Sequence, residues 1–483
     1  MKSYKVLLFL LSVIAMLAGL CSFFPSEGVR LGPWDLEFPS LEDVLVPDVA
    51  EEEEEVLSPE ELIAERFESI RSVERAQYLE FFSTSPTRFQ FPDDDYQMLD
   101  SLFIAFENSE NEPVRVVHYG DSQIEIDRLT FTLRKFLQDR FGGSGPGILP
   151  LRKEYYSLSS SVISTKELSR AMPYASGGQR AKDGLYGPMA QVARLDSTVT
   201  VTIGALGTNK SRSSHFDKVT ILAGKIRSRL HVRYNGETRE IEDDSSSVMT
   251  RIVLDVPDSS KRVSFTLSGY SDIYGIMLDG NAGVSVDNVA MRGSSGTVFT
   301  SMNRSQLSDY FSSTNTRLVI LQYGGNTVPY TKTDKQISDY MDGLRKQIRL
   351  IKSVAPQASV IFIGPSDMAT SINGKMTSYP VLEKMIPAIR DMVLEEGCIF
   401  WDLCEAMGGF GSMVRWVNSN PPLAGSDHVH FTPRGAESMG DILCNSLMLY
   451  YDYFEWRREE RRANQEFLDS LMNVPAIKSE AVL

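Results

Sequence analysis

Pro113-Val-Arg-Val-Val-His-Tyr-Gly-Asp-Ser-Gln-Ile-Glu125 is the stretch whose reading decides the fold. Val114, Val116 and Val117 form a β-branched run that stops at Gly120-Asp121-Ser122. Beyond it Ile126, Leu129, Phe131, Leu133, Phe136 and Leu137 recur at roughly helical spacing as far as Gly142-Gly143. Strand, tight turn and helix in that order open an α/β sheet. Ligands of such sheets sit beyond the carboxyl ends of the strands, so Ser122 lies where chemistry is expected, its N–H in the first helical turn. The plainer alternative is that Asp121 or Ser122 only caps that helix.

The α/β pattern returns late in the chain. Val284–Ala290 reads as a strand ending in Met291-Arg-Gly-Ser-Ser-Gly-Thr297, and Arg317–Gln322 as one ending in Tyr323-Gly-Gly-Asn326. A helix from Asp334 to Ser353, a strand Ser359–Gly364, a helix from Leu382 to Glu396 and a strand Ile399–Leu403 follow. Gly425-Ser-Asp-His-Val-His430 then leads to Thr432-Pro433, the cap and first-turn proline of a last helix through Tyr450. Its Arg457-Arg-Glu-Glu-Arg-Arg462 end reads as a solvated face.

Between these halves the texture changes. Ser197–Ile203, Lys218–Leu222, Leu230–Tyr234, Arg251–Asp255 and Arg262–Leu267 alternate polar and apolar residues, separated by turns such as Asn235-Gly236. Short strands without intervening helices indicate an inserted β-sandwich. Just before it, Gly142, Gly143, Gly145 and Gly147 lack the Lys-Ser/Thr of a phosphate loop and read as a flexible loop near the site.

Residues Val6 to Pro25 carry no charge and follow Lys2 and Lys5, a length able to span a bilayer with the N-terminus in the cytoplasm. An uncleaved signal anchor is expected, with a cleaved signal peptide as the alternative. Leu17–Cys21 is similar to a lipoprotein signal, yet Leu20 occupies the position that should be small. A net charge of −15 argues against a nucleic-acid partner. The run Glu51–Glu55 repels itself and should lie in an extended linker. Ser58 caps a helical segment running to about Phe82, and a short helix, Met98–Phe106, precedes the opening strand. Cys398 and Cys404 flank a strand that would hold them about 20 Å apart, too far for a bridge; buried thiols are expected, and no metal spacing is present. The expected organisation is a signal segment 1–25, an acidic disordered linker 26–57, a helical segment 58–109, an α/β domain in two parts, 110–155 and 281–455, around the sandwich 156–280, and a C-terminal helix and tail 456–483.

Strand ends in a parallel sheet lie side by side, so the loops carrying Ser122, Gly293–Gly296, Asn326 and Asp427–His430 should meet. A serine needs a base, most often histidine. An Asp three residues before that histidine can fix its tautomer. Backbone N–H groups and an Asn amide can supply an oxyanion hole.

These residues resemble the GDSL/SGNH hydrolase superfamily, whose blocks are named for Ser, Gly, Asn and His. Gly120-Asp121-Ser122 matches the first, with Gln123 where many members have leucine; Gly293–Gly296 looks like the second. Gly324-Gly325-Asn326 matches the third, with Thr327 replacing the common aspartate, and Asp427 and His430 match the fourth. The resemblance covers roughly residues 110–150 and 284–450. It implies a three-layer α/β/α, flavodoxin-like domain needing no metal or cofactor. It also implies Ser122 as nucleophile, His430 as base, Asp427 as its orienting acid, and Gly296, Asn326 and the Ser122 N–H as oxyanion donors. Gly293 is the fallback for Gly296, and His428 is out of register. Gln123 is expected on the first helical turn, altering the pocket wall. With its insertion, placed over or beside the site, the chain is similar to an exported bacterial subgroup. That implies a membrane-tethered, periplasm-facing esterase acting on O-acetyl groups of an envelope or extracellular polysaccharide. An O-acetyltransferase receiving acyl groups from an integral-membrane partner and a non-catalytic glycan-binding envelope protein are the alternatives.

Overall fold

The computed structural model describes residues 3–25, 28–40, 44, 59–152, 155–174, 180–207, 211–227, 229–243 and 247–472. The chain divides into two compact units, Met1–Ala76 and Gln77–Leu483. In the first, Ser3–Phe23 is a helix whose segment Val6–Phe23 is long and apolar enough to cross a membrane. Where the sequence suggests linker, Val29–Leu31 pairs with Trp34–Leu36 in a hairpin closed by Gly32, at φ +67°, and Pro33. The acidic run Glu51–Glu55 and the Ser58 cap lie outside the described residues.

In the second unit five strands form a parallel sheet in the spatial order Val284–Ala290, Val114–Gly120, Thr316–Gln322, Ser359–Ile363 and Ile399–Trp401. Numbered along the chain this is 2-1-3-4-5, the flavodoxin-like order. Phe89–Gln90 adds an antiparallel edge strand beside Phe400 and Trp401. Because side chains alternate along a strand, Val117, Tyr119, Val319 and Leu321 face one way and Val114, Val116, Leu318 and Ile320 the other. The first face packs on helices Arg304–Ser313, Asp334–Val354 and Leu382–Glu395; the second packs on Asp100–Glu107, Arg128–Phe141 and Pro433–Met472. Helices on both faces of a buried parallel sheet make the three-layer α/β/α domain.

The inserted region is a sandwich of two antiparallel sheets. One contains Val199–Ala205 and Arg262–Ser268; the other is centred on Ser271–Asp279 and also takes in Gly147–Leu149, ahead of position 156. Ser271–Asp279 is buried on both faces: Ile273, Ile276 and Leu278 enter the sandwich core, while Tyr274 and Met277 join the core of the α/β domain. A buried ion cluster crosses the same junction. Arg115 donates to Asp279 on the sandwich side and to Asp287 on the sheet side, both at 2.6 Å, and the Tyr310 hydroxyl also donates to Asp287.

Two expectations fail for packing reasons. The glycines before the insertion form a tight crossing, not a flexible loop near the site. A Cβ on Gly143 would stand 2.4 Å from the Val284 carbonyl oxygen, and one on Gly145 2.1 Å from that of Leu278. Val284 begins its strand, so this crossing lies at the end of the sheet opposite Ser122. The basic end of the last helix is not merely solvated either: Arg457 is buried and paired with Asp100, and Arg458 pairs with Glu107. Cys398, Cys404 and Cys444 are buried free thiols.

Candidate functional site

The strand order reverses between Val114–Gly120 and Thr316–Gln322, and the loops leaving these two neighbours carry Ser122 and Asn326. A crevice at such a switch point is where open α/β sheets bind ligands. Gly120 pairs with Gln322 on one side and Ala290 on the other, and a Cβ there would lie 2.9 Å from the Ile124 side chain. The strand therefore ends in a turn that only a residue without a side chain enters freely.

Asp121 shapes that turn by accepting the Gln123 N–H at 2.9 Å on Oδ1. The Ser122 carbonyl is held by the Glu125 N–H at 3.3 Å and Arg128 Nη1 at 2.7 Å. The helix starts only at Arg128, so neither the Ser122 N–H nor Gln123 lies in its first turn, as the sequence suggested. The intervening residues Ile126 and Asp127 have φ of 67° and 71°. What holds this kink is distant: Asp127 is ion-paired with buried Arg134 and accepts from Asn288 Nδ2 at 2.9 Å. Asp127, not Asp121 or Ser122, is the N-cap residue, and its side chain makes no capping bond.

The histidine loop is built from local bonds. Asp427 Oδ1 accepts the N–H groups of Val429 and His430, both at 3.0 Å, and Gly425 N–H donates to the His430 carbonyl at 2.8 Å. The His430 ring then spans two partners: Nδ1 lies 2.8 Å from Asp427 Oδ2, and Nε2 lies 2.8 Å from Ser122 Oγ. With Nδ1 donating to the carboxylate, the Nε2 lone pair faces the serine hydroxyl. Burial opposes ionisation of Asp427, but the His430 ring and the two backbone N–H groups hold its carboxyl below the usual range. His428 turns away, its Nδ1 at 3.0 Å from the Ser426 carbonyl. Gln123 is buried, and its amide donates to the Val429 carbonyl at 2.6 Å and the Ser366 hydroxyl at 3.2 Å. It ties the serine turn to the histidine loop and lies ahead of the helix, which starts at Arg128.

Asn326 Nδ2 donates to Asp121 Oδ2 and to the Ser294 carbonyl, both at 3.0 Å. Gly296 N–H donates to Ser294 Oγ at 3.1 Å, and at φ +82° a Cβ on Gly296 would stand 2.6 Å from the Tyr323 ring. Gly293, the fallback, is exposed with open space around it. Two of the expected oxyanion donors thus face Ser294, to which no role was assigned from sequence. Burial pushes the Asp121 carboxyl up to about 6 against the opposing pull of Gln123 N–H, His430 and the Asn326 amide. Thr327, where an aspartate is common, closes its own turn by donating to the Gly324 carbonyl at 2.7 Å. Among the described residues no group of three or more His, Cys, Asp or Glu is arranged to hold a metal.

Residues 260–437 match the GDSL-like lipase/acylhydrolase family. A solved peptidoglycan O-acetylesterase is similar over 75% of this chain and 99% of its own, at 22% identity and a TM-score of 0.60. A family two carbohydrate esterase from Cellvibrio japonicus covers 62% of this chain and 99% of its own, at 11% identity and a TM-score of 0.24. The first likeness is one of fold. No curated protein matches the chain in sequence.

Proposed function

The chain carries a domain of the GDSL-like lipase/acylhydrolase family, a hydrolase of ester bonds, and from that premise we propose that it removes O-acetyl groups from an envelope or extracellular polysaccharide through a serine acyl-enzyme. The observation that carries this reading is the line Ser122 Oγ, His430, Asp427, with both links at 2.8 Å. Ser122 Oγ attacks the acetyl carbonyl while His430 Nε2 takes its proton. The tetrahedral oxyanion is held by the Ser122 N–H, with the Gly296 N–H and the Asn326 amide released from Ser294. Collapse expels the sugar oxygen, which takes the proton back from His430. A water then enters, loses a proton to His430 and attacks the acetyl-enzyme. Acetate leaves, and Ser122 Oγ regains its proton. Asp427 keeps the ring in the tautomer that can accept at Nε2 and offsets the charge of the imidazolium.

The acyl group is suggested by the fold shared with a peptidoglycan O-acetylesterase, and the tether by the apolar helix Val6–Phe23, which would hold the enzyme on the outer face of a membrane, facing the periplasm. The test is labelling with a fluorophosphonate together with acetate release from O-acetylated polysaccharide. The wild-type chain should label and release acetate, and Ser122→Ala should do neither. A wild-type chain that neither labels nor releases acetate, or a Ser122→Ala variant that still labels, refutes the reading.

A further inference from the structure

The helices that follow the serine turn and the histidine loop, Arg128–Phe141 and Pro433–Met472, lie against each other, so closely that a Cβ on Gly440 would stand 2.6 Å from the Thr132 Cβ. Along their first turns a groove of about 1350 Å³ of open space is lined by both helices and by Tyr156 and Leu158, at the start of the inserted region. Both helices lead from it to the triad. Arg128, in its wall, donates to the Ser122 carbonyl at 2.7 Å, and Pro433 stands three residues beyond His430. Burial lowers the Arg128 guanidinium from its usual value, and Glu125, Tyr156 and Asp427 oppose this, so one side chain stands near both the groove's tyrosine and the triad's acid. Ile126, also in the wall, has φ of 67°, a conformation that a β-branched residue keeps only when its surroundings enforce it. Its carbonyl accepts the Leu158 N–H at 3.2 Å. The kink after Ser122 therefore also seats the Tyr156–Leu158 segment beside the site.

The lining is part apolar and part ionic. Tyr156 is 70% exposed and Leu158 is exposed beside it. Across from them Glu437 and Asp441, four residues apart on one face of the last helix, are exposed as well. An acyl chain lying here would press hydrocarbon against ionised carboxylates, and a nucleic acid would bring phosphates to them. A sugar matches both parts of the wall: its C–H face covers an aromatic ring, and its hydroxyls donate to carboxylates. We propose that this groove holds the glycan strand beside the acetylated sugar, with one ring on Tyr156 and its hydroxyls on Glu437 and Asp441. Affinity for the strand is then set outside the triad, in part by the first residues of the inserted region. This inference rests on the esterase reading, to which it adds the path of the strand.

Comparing polymer with small ester tests it. The full-length chain, purified in detergent, is assayed on nitrophenyl acetate, nitrophenyl octanoate, acetylated xylan and O-acetylated peptidoglycan strands. At least one polymer should be deacetylated, and Tyr156→Ala should raise KM for that polymer at least about fivefold. The same variant should keep kcat on the polymer, and kcat/KM for nitrophenyl acetate, within about twofold of wild type, because the exposed ring touches neither the triad nor the small ester. Tyr156→Phe keeps the ring and should stay near wild type, while the Glu437→Gln, Asp441→Asn double variant should raise the polymer KM as Tyr156→Ala does. An unchanged polymer KM in Tyr156→Ala, equal losses on polymer and small ester, a loss confined to the octanoate, or small-ester turnover by a wild-type chain that leaves both polymers intact overturns the proposal. A chain that neither turns over nitrophenyl acetate nor labels with fluorophosphonate at Ser122 fails at the esterase reading itself, which is a separate result.

Discussion

Removing the Asp427 carboxylate should cost activity by an amount its surroundings set. The carboxylate touches the His430 ring at 2.8 Å, yet its side chain is 52% exposed. An imidazolium and a carboxylate with charge centres about 4 Å apart attract by about 4 kcal/mol at an effective dielectric of 20, and by about 1 kcal/mol in water. Half exposure places Asp427 between these limits, at about 2–3 kcal/mol, or about a 30- to 150-fold loss of rate. Asp427→Ala should therefore lower kcat/KM for a small acetate ester by that factor and remain well above Ser122→Ala. Asp427→Asn discriminates further. Its oxygen stays with the Val429 and His430 N–H groups, because turning the amide around would set donor against donor. The amide nitrogen then faces Nδ1 and favours the tautomer protonated at Nε2, which presents a donor, not a base, to Ser122. The Asn variant should unfold close to the wild-type temperature while being no more active than the Ala variant. Initial rates on the small ester, with thermal unfolding alongside, decide the matter. An Ala variant within threefold of wild type, or an Asn variant ten times more active than Ala, refutes the reasoning.

Two further outcomes concern the scaffold. Arg115→Met strands Asp279 and Asp287 as buried unpaired acids and should destabilise the chain by about 3–5 kcal/mol in denaturant unfolding, with recovery when both acids become Asn; a loss below about 1 kcal/mol would contradict the clasp. His118 is fully buried, with Nε2 at 3.1 Å from Gln322 Oε1 and Nδ1 at 3.0 Å from Thr130 Oγ1, and burial pulls its pKa down to about 4. The unfolded histidine takes its proton near 6.5, so the unfolded state binds more protons between those values. Stability from this group is therefore intact above pH 6.5 and falls as pH drops toward 4, by up to about 3 kcal/mol. His118→Gln should flatten that slope in denaturant titrations at pH 7 and pH 5; an unchanged slope would refute the assignment.

Some features were legible because they are local. β-branched runs mark Val114–Gly120, which stops at its glycine, and Val284–Ala290, and each is a strand with those bounds. The spacing of Asp427 and His430 is self-contained, since the carboxylate folds its own loop by accepting two N–H groups within three residues. Alternation exposed the sandwich strands that have one wet face. Ser271–Asp279 escaped the same reading because a strand buried on both faces shows no alternation. The glycines of 142–147 looked flexible because a missing side chain signals freedom until the backbones it admits are known.

The amino-acid sequence by itself determined which chemistry-bearing residues the chain owns, their order, and the strand ends that carry them, because these depend on neighbours a few positions away. Tertiary structure alone decided the kink that delays the helix after Ser122, the engagement of Asn326 by Ser294, and the 2.8 Å approach of the His430 ring to Ser122 Oγ. Each of these is held by partners far along the chain: Asn288 reaches Asp127 across 161 positions, Asn326 reaches Ser294 across 32, and His430 reaches Ser122 across 308. Hydrogen bonds over such separations leave no periodicity in the sequence, since what selects them is the mutual burial of polar groups that would otherwise go unpaired.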